Sequence, residues 1–284
     1  MITRIAPTPS GFLHQGNLFN FLLNWLWARA NGGKVLLRID DADTERKRME
    51  YVEDIFRVLE WLGMDWDMGP SGPDALEKEW SQVYRRNDYD SMLQLLIDQH
   101  LIYACTCSRQ QLKSAAKDCT CKEQSIPLDY PTVAWKLSCS QHKRFTINEK
   151  NKSIDITDHL DDFVVRKKDG WPAYPITSLA DDLYFGVTHI ARGSDLMTST
   201  LRQLYISSWL PNGNFQNVQF WHHDLLMNEH NEKLSKSAGA QSSSILHSTS
   251  PQQLIGSFVA WMGWEQWYEG KLSDLFNIPD WKNS

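Results

Sequence analysis

Apolar and polar residues fall into blocks along this chain. Residues 2–6 are a short apolar run and 18–30, LFNFLLNWLWARA, a long one; the turn-rich stretch APTPSGFLHQGN (6–17) separates them. The first run predicts a strand, the second a helix over about 17–30. KVLLRI (34–39), between NGG and DDAD, reads as a buried strand. The three make a strand–helix–strand unit, right-handed by the general rule for such crossovers. MEYVEDIFRVLEWLG (49–63) has helical spacing and stops at Gly63. A further helix is predicted over about 79–100. From 103 to 162 the periodicity weakens and cysteines gather, which reads as an insertion. DFVVRKKDGWPAY (162–174) predicts a hairpin turning at Asp169 and Gly170. A helix over about 196–210 and a strand at 218–223 follow. Ser250, Pro251, Gln252 and Gln253 form a capping-box start with proline at the first helical position, so a closing helix runs to about 262. No internal repeat or low-complexity tract interrupts this order. The pattern is that of an α/β fold with a parallel sheet.

Composition changes this picture little. The chain has 284 residues, enough for one large domain or two modest ones, with 42% apolar and 23% charged residues. The start, MITRIAPTPS, shows no charged-then-apolar leader. The longest apolar run contains Asn20, Asn24 and Arg29 and is too short and polar to cross a bilayer. A cytoplasmic location and no membrane partner are expected. The net charge of −6 argues against a chain coated in nucleic acid. Two stretches are locally basic, 136–144 and 166–168; each alone reads as solvated surface.

The turn at 6–17 and a loop far downstream carry candidate chemistry. Ligands of open α/β sheets sit where a strand ends and a helix begins. A helix N-terminus offers free N–H groups and partial positive charge to phosphate. Gly11 and Gly16 permit close backbone approach, and His14 and Asn17 can donate hydrogen bonds to a nucleotide. The stretch matches neither the dinucleotide nor the Walker glycine pattern. Read alone, His14 is a solvated loop histidine. EKLSKSAGA (232–240) holds Lys233, Ser235 and Lys236. It reads either as an exposed loop or as a cationic clamp on charge developing in phosphate chemistry. Cys105, Cys107, Cys119 and Cys121 fall within one short stretch and read as a zinc site, with disulfides or free thiols as the alternative. Cys139 reads as core.

The two loops resemble the H-x-G-N/H and K-M-S-K-S motifs of class I aminoacyl-tRNA synthetases. RIAPTPSGFLHQGN, LLRIDDADTERKR and GVTHIARGSDLMTSTLRQLY resemble the glutamyl branch of that class. The resemblance runs in order over about 2–237. It implies activation of L-glutamate with ATP, release of pyrophosphate and transfer of the glutamyl group to tRNA. It implies that Gly11, His14, Gly16, Asn17, Lys233, Ser235 and Lys236 bind ATP, with His14, Asn17, Lys233 and Lys236 catalytic and Mg2+ arriving with the nucleotide. It implies a glutamate pocket of Arg4, Ala6, Thr8, Asp40, Tyr174 and Arg192, one arginine gripping the side-chain carboxylate. Thr8 and Asp40 depart from the usual serine and glutamate, which leaves the exact amino acid more open than the class.

The branch often carries zinc at a YxCTC segment, which implies one structural zinc on the four cysteines. Its shorter members place a tyrosine where this chain has Cys119, and a last cysteine slightly beyond the position of Cys121. The implied division is 1–102 and 163–240 as halves of a Rossmann-type catalytic domain, 103–162 as a small zinc-bearing insertion and 241–284 as a short helical segment, with no anticodon-binding domain. That brevity resembles the truncated glutamyl-queuosine tRNA(Asp) members, which act on the anticodon loop of tRNA(Asp). A monomer is expected, with Trp135 or Trp171 as a base-stacking platform. A short glutamyl-tRNA synthetase charging a 3′ end, a non-catalytic relative and a nucleotidyltransferase acting on another acid or alcohol are the alternatives.

Overall fold

The computed structural model describes residues 1–108, 110–111, 119–139, 145–149, 152–156, 160–211, 213–226 and 243–278. β1 (Ile2–Ile5), α1 (Gln15–Ala30) and β2 (Lys34–Leu37) form the expected first unit, with Ile2 opposite Lys34 and Ile5 opposite Leu37 in parallel pairing. α1 is buried almost all round, from Leu18 to Ala28. A helix apolar on every face belongs inside a core.

α2 (Met49–Trp61) ends as expected, with Gly63 in the left-handed region at φ 66°. The helix expected over 79–100 is broken. A π-helical turn, Leu76–Trp80, and a 3-10 turn, Gln82–Arg85, precede α3 (Arg86–Asp98). The cause is Asp41, whose carboxylate accepts from Ser81 Oγ at 2.7 Å and Gln82 N at 2.8 Å and holds Ser81 in an extended conformation.

β3 (Ile102–Cys105), β4 (Ala134–Leu137) and β7 (Phe163–Arg166) form an antiparallel sheet in the order β3-β4-β7. β7 opens the expected hairpin. Its return arm is a single bridge from Arg166 to Pro172, because proline cannot donate further. β5 (Phe145–Glu149) and β6 (Lys152–Ile156) pair antiparallel. β5 also lies parallel to β9 (Gln219–His223), which pairs in parallel with β8 (His189–Gly193). Between β7 and β8 stands α4 (Tyr174–Tyr184), which the sequence reading did not anticipate. α5 (Met197–Ser207) links β8 to β9.

α6 (Pro251–Met262) has the expected capping box: Gln253 N donates to Ser250 Oγ at 3.2 Å, and Ser250 N donates to Gln253 Oε1 at 3.0 Å. The chain after it packs on α1, with Phe276 5.6 Å from Trp25 between ring centres and Leu275 and Ile278 fully buried. Among the described residues no helix is long and apolar enough to cross a membrane.

β1 and β8 run side by side but pair only at one end. Thr188 N donates to Ile2 O at 2.9 Å, and Ile2 N donates to Thr188 Oγ1 at 2.8 Å. Beyond that point the buried carboxamide of Asn24 stands in for a strand, accepting from Ala191 N at 3.0 Å and donating to Ala191 O at 2.9 Å. Chain connections leave β1 toward β2 and β8 toward β9, so the strand order reverses here. The carboxyl ends of the two strands therefore splay into a cleft, the usual ligand position in an open α/β sheet.

Candidate active site

A cavity of about 400 Å3 fills that cleft. Its wall includes Arg4, Ala6, Thr8, Gly11, Asn17, Asp40, Tyr174 and Arg192, so eight of the residues singled out in the sequence share one space. Asp40 is brought there by backbone pairing that continues past β1 and β2, with Asp40 N donating to Pro7 O at 2.8 Å.

Beneath the cavity lies a buried charge network. Arg38 donates to Asp40 Oδ1 at 2.7 Å and Asp182 Oδ1 at 2.6 Å. Arg85 grips both oxygens of Asp181, at 2.7 and 3.0 Å. Arg4 Nε lies 3.4 Å from Asp182 Oδ1, an ion pair without a hydrogen bond, and Arg4 Nη1 donates to Ala191 O at 3.4 Å. Burial alone would depress Arg38; Asp40, Asp182 and Asp181 override it and hold its guanidinium charged well above the usual range. Burial, opposed by Arg38, leaves the Asp40 carboxyl above its ordinary value. Three arginines thus share three carboxylates, and Arg192, the fourth at the cavity, has no carboxylate partner among the described residues.

Arg192 is 1% exposed. Its Nη1 donates to Gln203 Oε1 at 2.8 Å and Thr200 Oγ1 at 3.3 Å, its guanidinium lies over the Phe220 ring at 5.6 Å, and Nε and Nη2 have no hydrogen-bond partner among the described residues. Burial pushes it down to about 10, with Arg4 adding to the effect and Tyr174 and Asp182 opposing it. A buried cation in this state is set up for an incoming anion. Behind it runs a polar chain: Thr200 Oγ1 lies 2.8 Å from His222 Nε2, and His222 Nδ1 lies 2.6 Å from Glu149 Oε2. Thr200, Gln203, His222 and Glu149 were not foreseen, nor were Arg38, Asp181 and Asp182. The first pair falls in TSTLRQ, three residues apart on one helix face, a signal legible once Arg192 is known to precede it.

At the α1 N-terminus, His14 N donates to Asn17 Oδ1 at 3.2 Å, so the Asn17 oxygen caps the helix. A Cβ at Gly16 would come within 3.2 Å of the His14 ring, so glycine lets the imidazole lie against the helix start. A Cβ at Gly11 would meet open space. Leu226 lies 3.8 Å from that Gly16 position, and His223 Nε2 is 3.2 Å from Asn20 Oδ1. The segment leading to the lysine loop therefore passes beside His14. Lys233, Ser235 and Lys236 themselves lie outside the described residues.

A second cavity, about 1260 Å3, shares Thr8, Asp40 and Tyr174 with the first and extends to Cys105 and Cys107. There Cys105, Cys107, Cys119 and Cys121 bring their sulfurs within 4.8 Å of one another, the closest pairs at 3.6 Å. All four are free thiols, far beyond the roughly 2.05 Å of a disulfide. Sulfurs about 2.3 Å from a tetrahedral zinc stand about 3.8 Å apart, so the donor set and spacing fit zinc. Burial pushes the Cys105 thiol up to about 12, with Cys119 adding to it, whereas hydrogen bonds from Thr106 and the neighbouring thiols override burial at Cys121 and hold it down to about 6. Cys139 is buried, as expected. Trp135 and Trp171 each have one ring face covered, by Arg166 at 4.3 Å and Arg86 at 4.7 Å.

Residues 1–278 match the family described as tRNA synthetases class I (E and Q), catalytic domain. A glutamate–tRNA ligase of Desulforamulus reducens is 32% identical, over 98% of this chain and 61% of the ligase. A glutamyl-Q tRNA(Asp) synthetase of Nitratidesulfovibrio vulgaris is 34% identical, over 82% of this chain and 76% of that protein. The crystal structure of a glutamate–tRNA synthetase from Elizabethkingia anophelis superposes with a TM-score of 0.78 at 24% identity, covering 100% of this chain and 66% of that one, a likeness of fold. Against the glutamate–tRNA ligases it resembles, the chain spans between 51% and 61% of their length.

Proposed function

This chain belongs to the class I tRNA synthetases (E and Q), and from that membership we propose that it activates L-glutamate with ATP and passes the glutamyl group to RNA. The observation that carries this is Arg192, a buried guanidinium on the wall of a cavity of about 400 Å3, with two nitrogens that have no hydrogen-bond partner among the described residues. It receives the side-chain carboxylate of glutamate through a paired contact. Arg4, already engaged by Asp182, acts as its support. Asp40, Thr8, Tyr174 and the backbone at Ala6 hold the amino-acid head.

The amino-acid carboxylate then attacks the α-phosphate of ATP. That step needs positioning and charge stabilisation, with no protein nucleophile. Gly11, Gly16, His14 and Asn17 at the α1 N-terminus take the nucleotide, and Lys233, Ser235 and Lys236 complete the clamp on the leaving pyrophosphate. Mg2+ carried with ATP neutralises phosphate charge when bound. Zinc on the four cysteines fixes the local chain beside the larger cavity. ATP and tRNA place the reaction in the cytoplasm, and the chain acts as a monomer.

For the acceptor, our reading is queuosine in the anticodon of tRNA(Asp), supported by the match to a glutamyl-Q tRNA(Asp) synthetase. Single-stranded loops present splayed bases that proteins read by stacking and edge contacts. Charging of a tRNA 3′ end is the second reading, favoured by the ligase relatives. Labelled glutamate offered with modified tRNA(Asp), unmodified tRNA(Asp) and tRNA(Glu) in parallel separates them. Transfer to modified tRNA(Asp) alone is the expected result; transfer to tRNA(Glu) alone establishes the other.

A further inference from the structure

Arg192 and His222 are partners in the β8–β9 register, and Glu149 stands on β5, the strand on the other side of β9. His222 engages both oxygens of Glu149. Its backbone N donates to Oε1 at 2.5 Å, and its ring Nδ1 lies 2.6 Å from Oε2. A carboxylate only accepts, so Nδ1 carries a hydrogen, and Nε2 of the neutral ring is left as an acceptor. Thr200 Oγ1 has one hydrogen and two acceptors in reach, His222 Nε2 at 2.8 Å and Leu196 O at 3.3 Å. The shorter contact takes the hydrogen. The threonine oxygen then offers its lone pairs to Arg192 Nη1, which also donates to Gln203 Oε1. The ionised group at the far end thus fixes the sense of each hydrogen bond up to the guanidinium. The edge left over, Nε and Nη2, is a donor pair that takes a carboxylate through two parallel bonds, and it has no hydrogen-bond partner among the described residues.

We infer that His222 and Glu149 are positioning residues for glutamate: acting through Thr200, they hold Arg192 by one nitrogen and keep its other edge for the substrate's side-chain carboxylate. This rests on the function proposed above. Arg4, on the wall of the same cavity, shows the alternative, since Asp182 lies directly against its Nε. A carboxylate placed so on Arg192 would occupy the edge the substrate needs and cancel its charge. The relay instead sets the anion behind an imidazole and a hydroxyl, so the buried cation gains a counter-charge at a distance. Phe220 packs against both ends of the relay's cationic side, with the Arg192 guanidinium 5.6 Å from its ring centre and the His222 ring stacked on it at 5.6 Å and 17°. Glu149 falls within 103–162, the stretch expected to be an insertion, so that stretch takes part in choosing the amino acid as well as in holding the cysteines.

The test uses the whole chain with its bound metal, in the variants Glu149→Gln, Thr200→Val, Thr200→Ser and the double variant Glu149→Gln/Thr200→Val. ATP–pyrophosphate exchange gives kcat and the KM values for glutamate and ATP, and a thermal melt of each preparation reports folding. The expected result is that Glu149→Gln and Thr200→Val each raise KM for glutamate about tenfold, the loss of one hydrogen bond to a charged group. In both, kcat and the KM for ATP stay within about twofold of the starting values. Thr200→Ser, which keeps the hydroxyl, stays near the unsubstituted chain. The double variant is no worse than the worse single one, because the groups act in series. Additive losses, or losses that fall equally on kcat and on the KM for ATP, overturn the inference, since these residues then only hold the sheet and helix together. An unaltered KM for glutamate in both single variants also overturns it and leaves the function standing. If the unsubstituted chain shows no glutamate-dependent exchange, the function itself fails and this inference with it.

Discussion

The Arg192 pocket and the cysteine end of the larger cavity hold concentrated charge by opposite means. At the pocket, Arg4, Arg38 and Arg85 neutralise Asp40, Asp181 and Asp182 within the fold, and the uncompensated group is Arg192. At the other end, four sulfurs lie within 4.8 Å of one another, a donor set that fits an added metal cation. Fold-holding and ligand-holding residues are therefore separable at the pocket, whereas at the cysteines they are the same residues.

Substitutions break that comparison in order of effect. Arg38→Met removes the counter-ion of two buried carboxylates and costs about 3–5 kcal/mol of stability, read by chemical denaturation. Arg192→Ala has the reverse profile. It lowers kcat/KM for glutamate in pyrophosphate exchange by two to three orders of magnitude, about 3–4 kcal/mol. Its Tm stays level or rises, because a buried cation with unpartnered nitrogens is removed. If both variants lose stability equally, the separation of roles at the pocket is wrong. Cys107→Ser weakens zinc affinity by more than the roughly 10–100-fold typical of losing a ligand's supporting partner, so bound zinc falls below one equivalent. Metal analysis and a thermal melt of the same sample show zinc and local stability falling together.

The smallest effect is a pH dependence on the pocket side. His189 opens β8 and packs edge-on against Trp27 at 5.0 Å. Burial, with the chain's amino terminus adding to it, pushes its imidazole down to about 4 from the usual 6.5. Between those values the unfolded chain binds the proton and the folded one does not. Stability is therefore fully present above about 6.5 and declines as pH falls toward 4. Because the ring is partly exposed, the loss is on the order of 1 kcal/mol. Denaturation midpoints from pH 7.5 to 4.5 show it, and His189→Gln flattens that part of the curve.

Local signals made much of this legible. The first βαβ unit, the stop at Gly63 and the capping box at Ser250 depend on near neighbours in sequence, and each stands in the structure. The π and 3-10 turns before α3 were not legible, because Asp41 breaks the helix from 40 positions away. α4 escaped notice although Ile176, Leu179, Ala180 and Leu183 carry helical spacing. Its buried Asp181 and Asp182 look like surface polar residues until Arg85 and Arg38 are placed against them. At the site, Arg4, Asp40, Tyr174 and Arg192 were legible as a set through family resemblance. Which arginine is unpaired was not, since it depends on Asp182 lying 3.4 Å from Arg4.

The central claim is that Arg192 awaits a carboxylate. Pyrophosphate exchange measured side by side with glutamate, glutamine and aspartate, without RNA, tests it most directly. The account predicts exchange with glutamate, and with glutamine on the order of a hundredfold or more slower, because a neutral carboxamide leaves the guanidinium uncompensated. Exchange with glutamine equal to or faster than with glutamate would contradict it.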